Sequence, residues 1–383
     1  MLSFPARTPR AFRAGLTMAL LAGCSASETP SVDAAPVSAA ALSDVSDSLR
    51  LDARNSDTIR PSAETPAASA AASTAAATAA STAASEPGSY RTPNEYGRIP
   101  IVEYHLVEAE DGTYKVSRAR FRAELDTLYA RGYRPIAIGE LLDKRIHLAR
   151  GHSPVLFIFD DASPSQFRYI ERNGALVIDP LSALGIWLDF AKDKPDWRNR
   201  GAFCLLSGAE AGRSFFGNKG IEGQKSEWRF QKLRQLDSMG FELCNHTLWH
   251  ARLDKYEDKF VQEQIARGEL AIDSAIGGYK VRGFALPLGM WPKNRPLAWA
   301  GEWTDPKSKR TLRYSYDAVF EVAGGPARSP YDFKFNPRSL PRIPLGGGMP
   351  LFPTLRNLEK AGPNSRYVSD GDSTKVSGAV PTP

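Results

Sequence analysis

From about residue 91 onward the chain alternates two hydrophobic rhythms. Short, nearly continuous apolar runs, RIPIVEY (98–104) and SPVLFIFDD (153–161), read as strands covered on both faces. Between them SRARFRAELDTLYARGY places Phe121, Leu125, Leu128 and Tyr129 at helical spacing, with Ser117 as N-cap and Gly132 as the stop. The same rhythms predict helices over 179–193, over 226–240 ending at Gly240, and over a long polar-rich stretch from about 255 to 276. Strands are predicted in GAFCLLS (201–207), FELCNH (241–246), KVRGFALPLG (280–289), DAVFEVAG (317–324) and SLPRIPL (339–345). Alternation of this kind predicts an α/β domain with a parallel sheet, either closed as a barrel or open and doubly wound. Both architectures put their active sites at the C-terminal ends of the strands.

The ends of the 383-residue chain have a different composition. Arg7, Arg10 and Arg13 precede an apolar segment, Ala14 to Ala22, too short to span a bilayer but suited to the core of an export signal. It closes with Leu21-Ala22-Gly23-Cys24, which resembles the lipobox of bacterial lipoproteins and implies lipidation at Cys24. Residues 1–24 are thus expected to be a signal peptide, and the covalent lipid an anchor that needs no transmembrane helix. Residues 25–90 are Ala, Ser, Thr and Pro with few large apolar side chains, and are expected to form a disordered tether. Such a tether spans roughly 45 Å by random-coil scaling. Residues 91–353 are expected to fold as one domain, and 354–383 to be a flexible tail. The net charge of +6 is mild, scattered and partly carried by the signal segment, so no nucleic-acid partner is expected. Beyond Cys24 there are only Cys204 and Cys244, which sit in apolar runs and are expected to be buried free thiols.

The strand-end rule makes the polar residues informative. Asp160 and Asp161 follow the apolar run VLFIF, and Asn245 and His246 close FELCNH. Two carboxylates at a barrel mouth can divide the labour, one binding a cation and the other accepting a proton; the bland reading is a helix cap and a solvated charge. His246 and His250 are four apart, the spacing of one face of a helical turn. Together with a carboxylate they make a two-histidine, one-carboxylate site available, most simply for Zn2+. His105 follows the first strand and is expected at the same rim, while His147 and His152 lie among basic residues and read as surface.

With those residues in hand, the stretch from Ile99 to Pro344 resembles the NodB-homology polysaccharide deacetylases of carbohydrate esterase family 4. FIFDD (157–161) is similar to that family's first motif, which implies Asp160 as catalytic base and Asp161 as metal ligand. HTLWH (246–250) matches its second motif and implies His246 and His250 as the other ligands. FALPLG (284–289) is similar to the third, placing Pro287 and Leu288 on a groove wall, although Leu288 stands where the family has tyrosine and Ala162-Ser163 where it commonly has Gly-Tyr. The family's late histidine motif is missing, since no histidine lies beyond His250; His105 matches the position that supplies the acid in the branch acting on poly-N-acetylglucosamine.

The resemblance implies a distorted (β/α) barrel and metal-dependent hydrolysis of N-acetyl groups on an N-acetylglucosamine-containing polysaccharide, with Zn2+, or Co2+ or Ni2+, as cofactor. Backbone near Ala162 or Ser163 would support the oxyanion, and Trp249 and Trp291 could stack on sugars or pack in the core. An O-acetyl polysaccharide esterase and a non-catalytic, lipid-anchored glycan-binding protein are the alternatives. A monomer is expected, exported and anchored to the bacterial membrane, at the outer membrane if the host is Gram-negative.

Overall fold

The computed structural model describes residues 91–381, apart from 209–213, 350, 361, 363 and 364. The expected signal segment, Cys24 and the 25–90 tether lie outside the described residues. Eight parallel strands form the main sheet: β1 (Ile101–Tyr104), β2 (Tyr133–Ile136), β3 (Ser153–Phe159), β4 (Ala202–Leu205), β5 (Glu242–Asn245), β6 (Gly283–Ala285), β7 (Ala318–Gly324) and β8 (Leu340–Pro344). Seven close into a ring in the order β1-β3-β4-β5-β6-β7-β8, with β8 returning to β1 through Val102 opposite Ile343. The closed form of the two expected architectures is the one adopted. β2 pairs with the first half of β3, beside β4, and tolerates Pro135 at that position.

Strand alternation sorts the side chains into two cores. Ile101, Leu156, Ile158, Ala202, Cys204, Cys244, Ala285, Ala318, Phe320 and Leu340 fill the lumen. Their neighbours Val102, Tyr104, Phe157, Phe159, Phe203, Leu243 and Val319 face outward under the helices. Those helices are α1 (Arg118–Ala130), α2 (Ile138–Leu142), α3 (Ala183–Ala191), α4 (Arg229–Met239), α5 (Asp258–Ala275) and α6 (Leu351–Leu358). Ser117 caps α1 by accepting the Arg120 N–H, and Gly240 ends α4 at φ 94°, as the spacing predicts. One feature not anticipated is the hairpin Tyr169–Arg172 with Ala175–Ile178, turned by Asn173-Gly174, both at positive φ. Among the described residues no helix is long and apolar enough to cross a membrane.

Two expectations are corrected. Cys204 and Cys244 are not free thiols: they face each other in the β4–β5 register with Cα atoms 4.2 Å apart and form a disulfide in the lumen. Nor is 354–383 a flexible tail. α6 crosses the expected boundary, and residues beyond it return to the barrel's N-terminal pole, where Val368 exchanges backbone hydrogen bonds with Asn94 and Tyr367 donates to the Arg98 carbonyl. Tyr367 is 1% exposed, with its hydroxyl on Glu95. Composition missed this because one buried aromatic and a few backbone bonds suffice to dock a polar segment.

Replacing Tyr367 with Ala is therefore expected to cost about 3–5 kcal/mol in urea unfolding, as for other buried aromatics; a loss under about 1 kcal/mol would show that the segment is dispensable. Non-reducing peptide mapping should recover Cys204 linked to Cys244.

Candidate functional site

The C-terminal ends of β1, β3, β5, β6 and β8 bring the polar residues together. On β3 the inward positions Leu156 and Ile158 are continued by Asp160, 1% exposed. An extended chain would send Asp161 to the opposite face. Instead Asp161 and Ala162 take φ of 79° and 50°, so the chain bends and both carboxylates reach the same mouth. Gln166 holds this bend by donating its amide to the carbonyls of Asp160 and His105.

On β5 the inward position after Cys244 is His246, fully buried. Its partner His250 does not follow on a helical turn, as the spacing suggested. Residues 246–250 are a bent loop with Thr247 and His250 at φ of 72° and 61°, and this loop sets the two rings 4.9 Å apart. Asn245 fixes the loop from the other side of the sheet, accepting the Thr247 N–H and donating to Ile265 and Tyr316. Nε2 of His246 and of His250 lie 3.5 and 3.6 Å from one oxygen, Oδ1 of Asp161.

The protonation pattern suits a cation. Burial raises the Asp161 carboxyl, but His246 and then His250 outweigh it and hold it well below its ordinary value. Burial lowers His246, but Asp160 and Asp161 bring it above its ordinary value, whereas burial and then His246 push His250 down to about 4. Nδ1 of His246 sits 2.9 Å from the Ala285 carbonyl, which directs Nε2 toward Asp161, and that buried Nε2 has no hydrogen-bond partner among the described residues. Two imidazole nitrogens and one carboxylate oxygen, one nitrogen orphaned until something binds it, fit a divalent metal.

Asp160 has a different neighbour. Arg342, on β8, is fully buried, and Nη1 meets Oδ2 of Asp160 at 2.7 Å while Nε donates to the Glu321 carbonyl. Burial raises Asp160, yet Arg342, then His246 and His105, bring it below its ordinary value. Nη2 of Arg342 reaches Glu103 on β1 at 3.1 Å, and burial pushes Glu103 up to about 8 against the pull of Arg342. Neither Arg342 nor Glu103 was singled out from the sequence, although both are charges at lumen-facing positions of apolar runs, IPIVEY and LPRIPL. His105 stands at the same end, its Nε2 3.4 Å from Glu103, with burial lowering its pKa.

The expected groove residues follow the ends of β3, β5 and β6. Ala162 and Ser163 are buried just after the aspartate pair. Pro287 is buried, and Leu288, at φ 56°, is 47% exposed on the rim beside Met290. Trp249 packs on Phe260, and Trp291 is covered by the Arg295 guanidinium 3.8 Å from its ring centre. His147 and His152 precede β3, at the other end of that strand.

Residues 203–299 match the family model described as polysaccharide deacetylase, a stretch that carries His246, His250 and the Pro287-Leu288 turn but not Asp160 or Asp161. No curated protein sequence matches the chain. Among solved structures, the chain is similar to the Streptococcus pyogenes deacetylase PplD in complex with acetate (14% identity, 67% of this chain and 95% of that one, TM-score 0.45). It is also similar to IcaB from Ammonifex degensii (18% identity, 67% and 95%, TM-score 0.42). A third is a de-N-acetylase from Aggregatibacter actinomycetemcomitans (14% identity, 68% and 99%, TM-score 0.45). The family match thus runs from β4 to β6 of the closed parallel barrel and takes in the loop that carries His246 and His250.

Proposed function

We propose that this protein is a metal-dependent hydrolase that removes N-acetyl groups from an N-acetylglucosamine-containing polysaccharide, an exopolysaccharide or peptidoglycan. The observation that carries the reading is the separation of two carboxylates at one mouth. Asp161 faces two histidine nitrogens, and Asp160 is held by a guanidinium that keeps it ionised.

A divalent cation held by Asp161, His246 and His250, most simply Zn2+ and otherwise Co2+ or Ni2+, would supply Lewis acidity to the acetyl carbonyl and the attacking water. Asp160 accepts a proton from that water as it attacks. The peptide N–H of Ala162 or Ser163 supports the developing oxyanion. His105 donates a proton to the departing amine, which otherwise leaves poorly. Trp249, Pro287, Leu288 and Trp291 form the groove against which the sugar chain lies. The same site could cleave an O-acetyl ester, so amide and ester substrates are compared side by side.

We also propose that Cys24 carries a lipid that anchors the domain to the bacterial membrane through the 25–90 segment. The Cys204–Cys244 disulfide is in keeping with an exported protein.

Asp160→Asn is expected to lower acetate release from N-acetylglucosamine oligomers at least about 100-fold while metal content stays near wild type. Loss of metal in that variant would exchange the roles of the two aspartates. His246→Ala and Asp161→Asn should lose the metal. Because His246 is raised and His250 is low at about 4, a binding metal displaces one proton, not two, just above pH 5. Metal affinity should therefore fall about tenfold per pH unit between about 6.5 and 5, and a hundredfold slope would contradict the assignment. Replacing Cys24 with Ala should move the protein from the membrane to the soluble fraction.

A further inference from the structure

Glu103 is a carboxylate in an apolar strand, fully buried and pointing into the lumen as Ile101 does two residues earlier. Such a group is costly unless something there needs it. Balancing Arg342 does not account for it, since Asp160 already meets that guanidinium at the shorter distance, 2.7 Å against 3.1 Å. Its other neighbour is His105. Oε1 of Glu103 lies 3.4 Å from Nε2 of His105, on the inner side of a ring whose other side is flanked by Tyr114, 5.3 Å away between ring centres. The His105 backbone is tied down by Gln166. Nδ1 of His105 and both carboxylate oxygens of Glu103 are buried without a hydrogen-bond partner among the described residues, so the 3.4 Å approach is the contact along which a proton can be shared. Glu103, His105 and Asp160 bring their polar atoms within 4.8 Å of one another, so the imidazole stands beside the carboxylate that takes the water proton.

We propose that Glu103 is the positioning residue of His105: it shares one proton with Nε2, and thereby makes Nδ1–H the group presented to the leaving nitrogen. Whether that proton sits nearer Oε1 or Nε2, Nδ1 keeps its hydrogen, so the pair always offers a donor. Burial, which raises Glu103 to about 8, helps to retain the shared proton at neutral pH. In turnover, Nδ1–H gives its proton to the amide nitrogen as the C–N bond breaks, the electron pair of that bond stays on the amine, and the shared proton passes from Oε1 onto Nε2, leaving a neutral imidazole beside the Glu103 carboxylate. His105 then recovers a proton from solvent before the next cycle. The charged and titratable groups facing the pair are Arg342, Asp160, Asp161 and His246.

This inference rests on the deacetylase reading for the use of His105 but not for the pairing itself, and the test separates the two. The full-length protein is labelled with 15N in the histidine rings, and His105 is assigned by the signals lost in His105→Gln. Wild type is expected to show the Nδ1–H form, and Glu103→Met should convert it to the Nε2–H form. Glu103→Met should also lower kcat about 100-fold with KM and metal content within twofold, and Glu103→Asp should restore about a tenth of wild-type kcat. An Nε2–H form in wild type, a ring form unchanged in Glu103→Met, or a kcat loss under threefold would overturn the proposal. If Glu103→Met does not fold, the wild-type spectrum and Glu103→Asp still decide it. If wild type releases no acetate, the deacetylase reading fails while the ring spectrum still reports on the pair.

Discussion

The site depends on one buried guanidinium. At the C-terminal end of the lumen Glu103, Asp160 and Asp161 are withdrawn from water within reach of one another, an arrangement that mutual repulsion and desolvation would oppose. Arg342, entering from the last strand, spans Asp160 and Glu103 with its two terminal nitrogens and the Glu321 carbonyl with the third. With that charge in place Asp160 stays ionised, Glu103 is free to hold a proton, and Asp161 is left to the histidines. The proposed division of labour between adjacent carboxylates thus rests on which of them the guanidinium touches. Closing the ring matters for the same reason, because it is the β8–β1 pairing that carries Arg342 to Glu103.

The second requirement is backbone strain at the strand ends. Asp161, Ala162, Thr247, His250 and Leu288 all take positive φ, a conformation that non-glycine residues adopt at a cost. The bend at Asp161 turns a carboxylate that strand geometry would point outward back toward the mouth, and the bent loop through Thr247 and His250 sets the two histidine rings together. The surrounding bonds that hold these bends, from Gln166, Asn245 and the Ala285 carbonyl, are therefore part of the site although none is proposed to touch substrate.

Much of this was legible in the chain. Apolar runs ending in DD and NH marked two strand ends, and the alternation of elements marked the parallel sheet. Asp160, Asp161, His246, His250 and His105 were all found at one end of it. What failed was pairing across distance. Arg342 and Asp160 are 182 positions apart, and Arg342 reads locally as a charge interrupting a strand. The Cys204–Cys244 bond depends on a register that composition does not encode, and the docking of Tyr367 depends on a partner, Glu95, near the other end of the folded part. The His246–His250 spacing pointed to two rings that do lie together, but through a different geometry, because a bent loop and a helical turn can bring the same two positions together.

The most direct test of the account is the coordination sphere itself, read by X-ray absorption and anomalous diffraction on the full-length protein loaded with one equivalent of Zn2+. The account predicts one bound metal with two imidazole nitrogens at about 2.0–2.1 Å and one carboxylate oxygen at about 2.0–2.2 Å, from His246, His250 and Asp161. Asp160 should remain outside that shell, on Arg342. A metal coordinated by Asp160 and Glu103 in place of Asp161, or no metal at this end of the barrel, would contradict it.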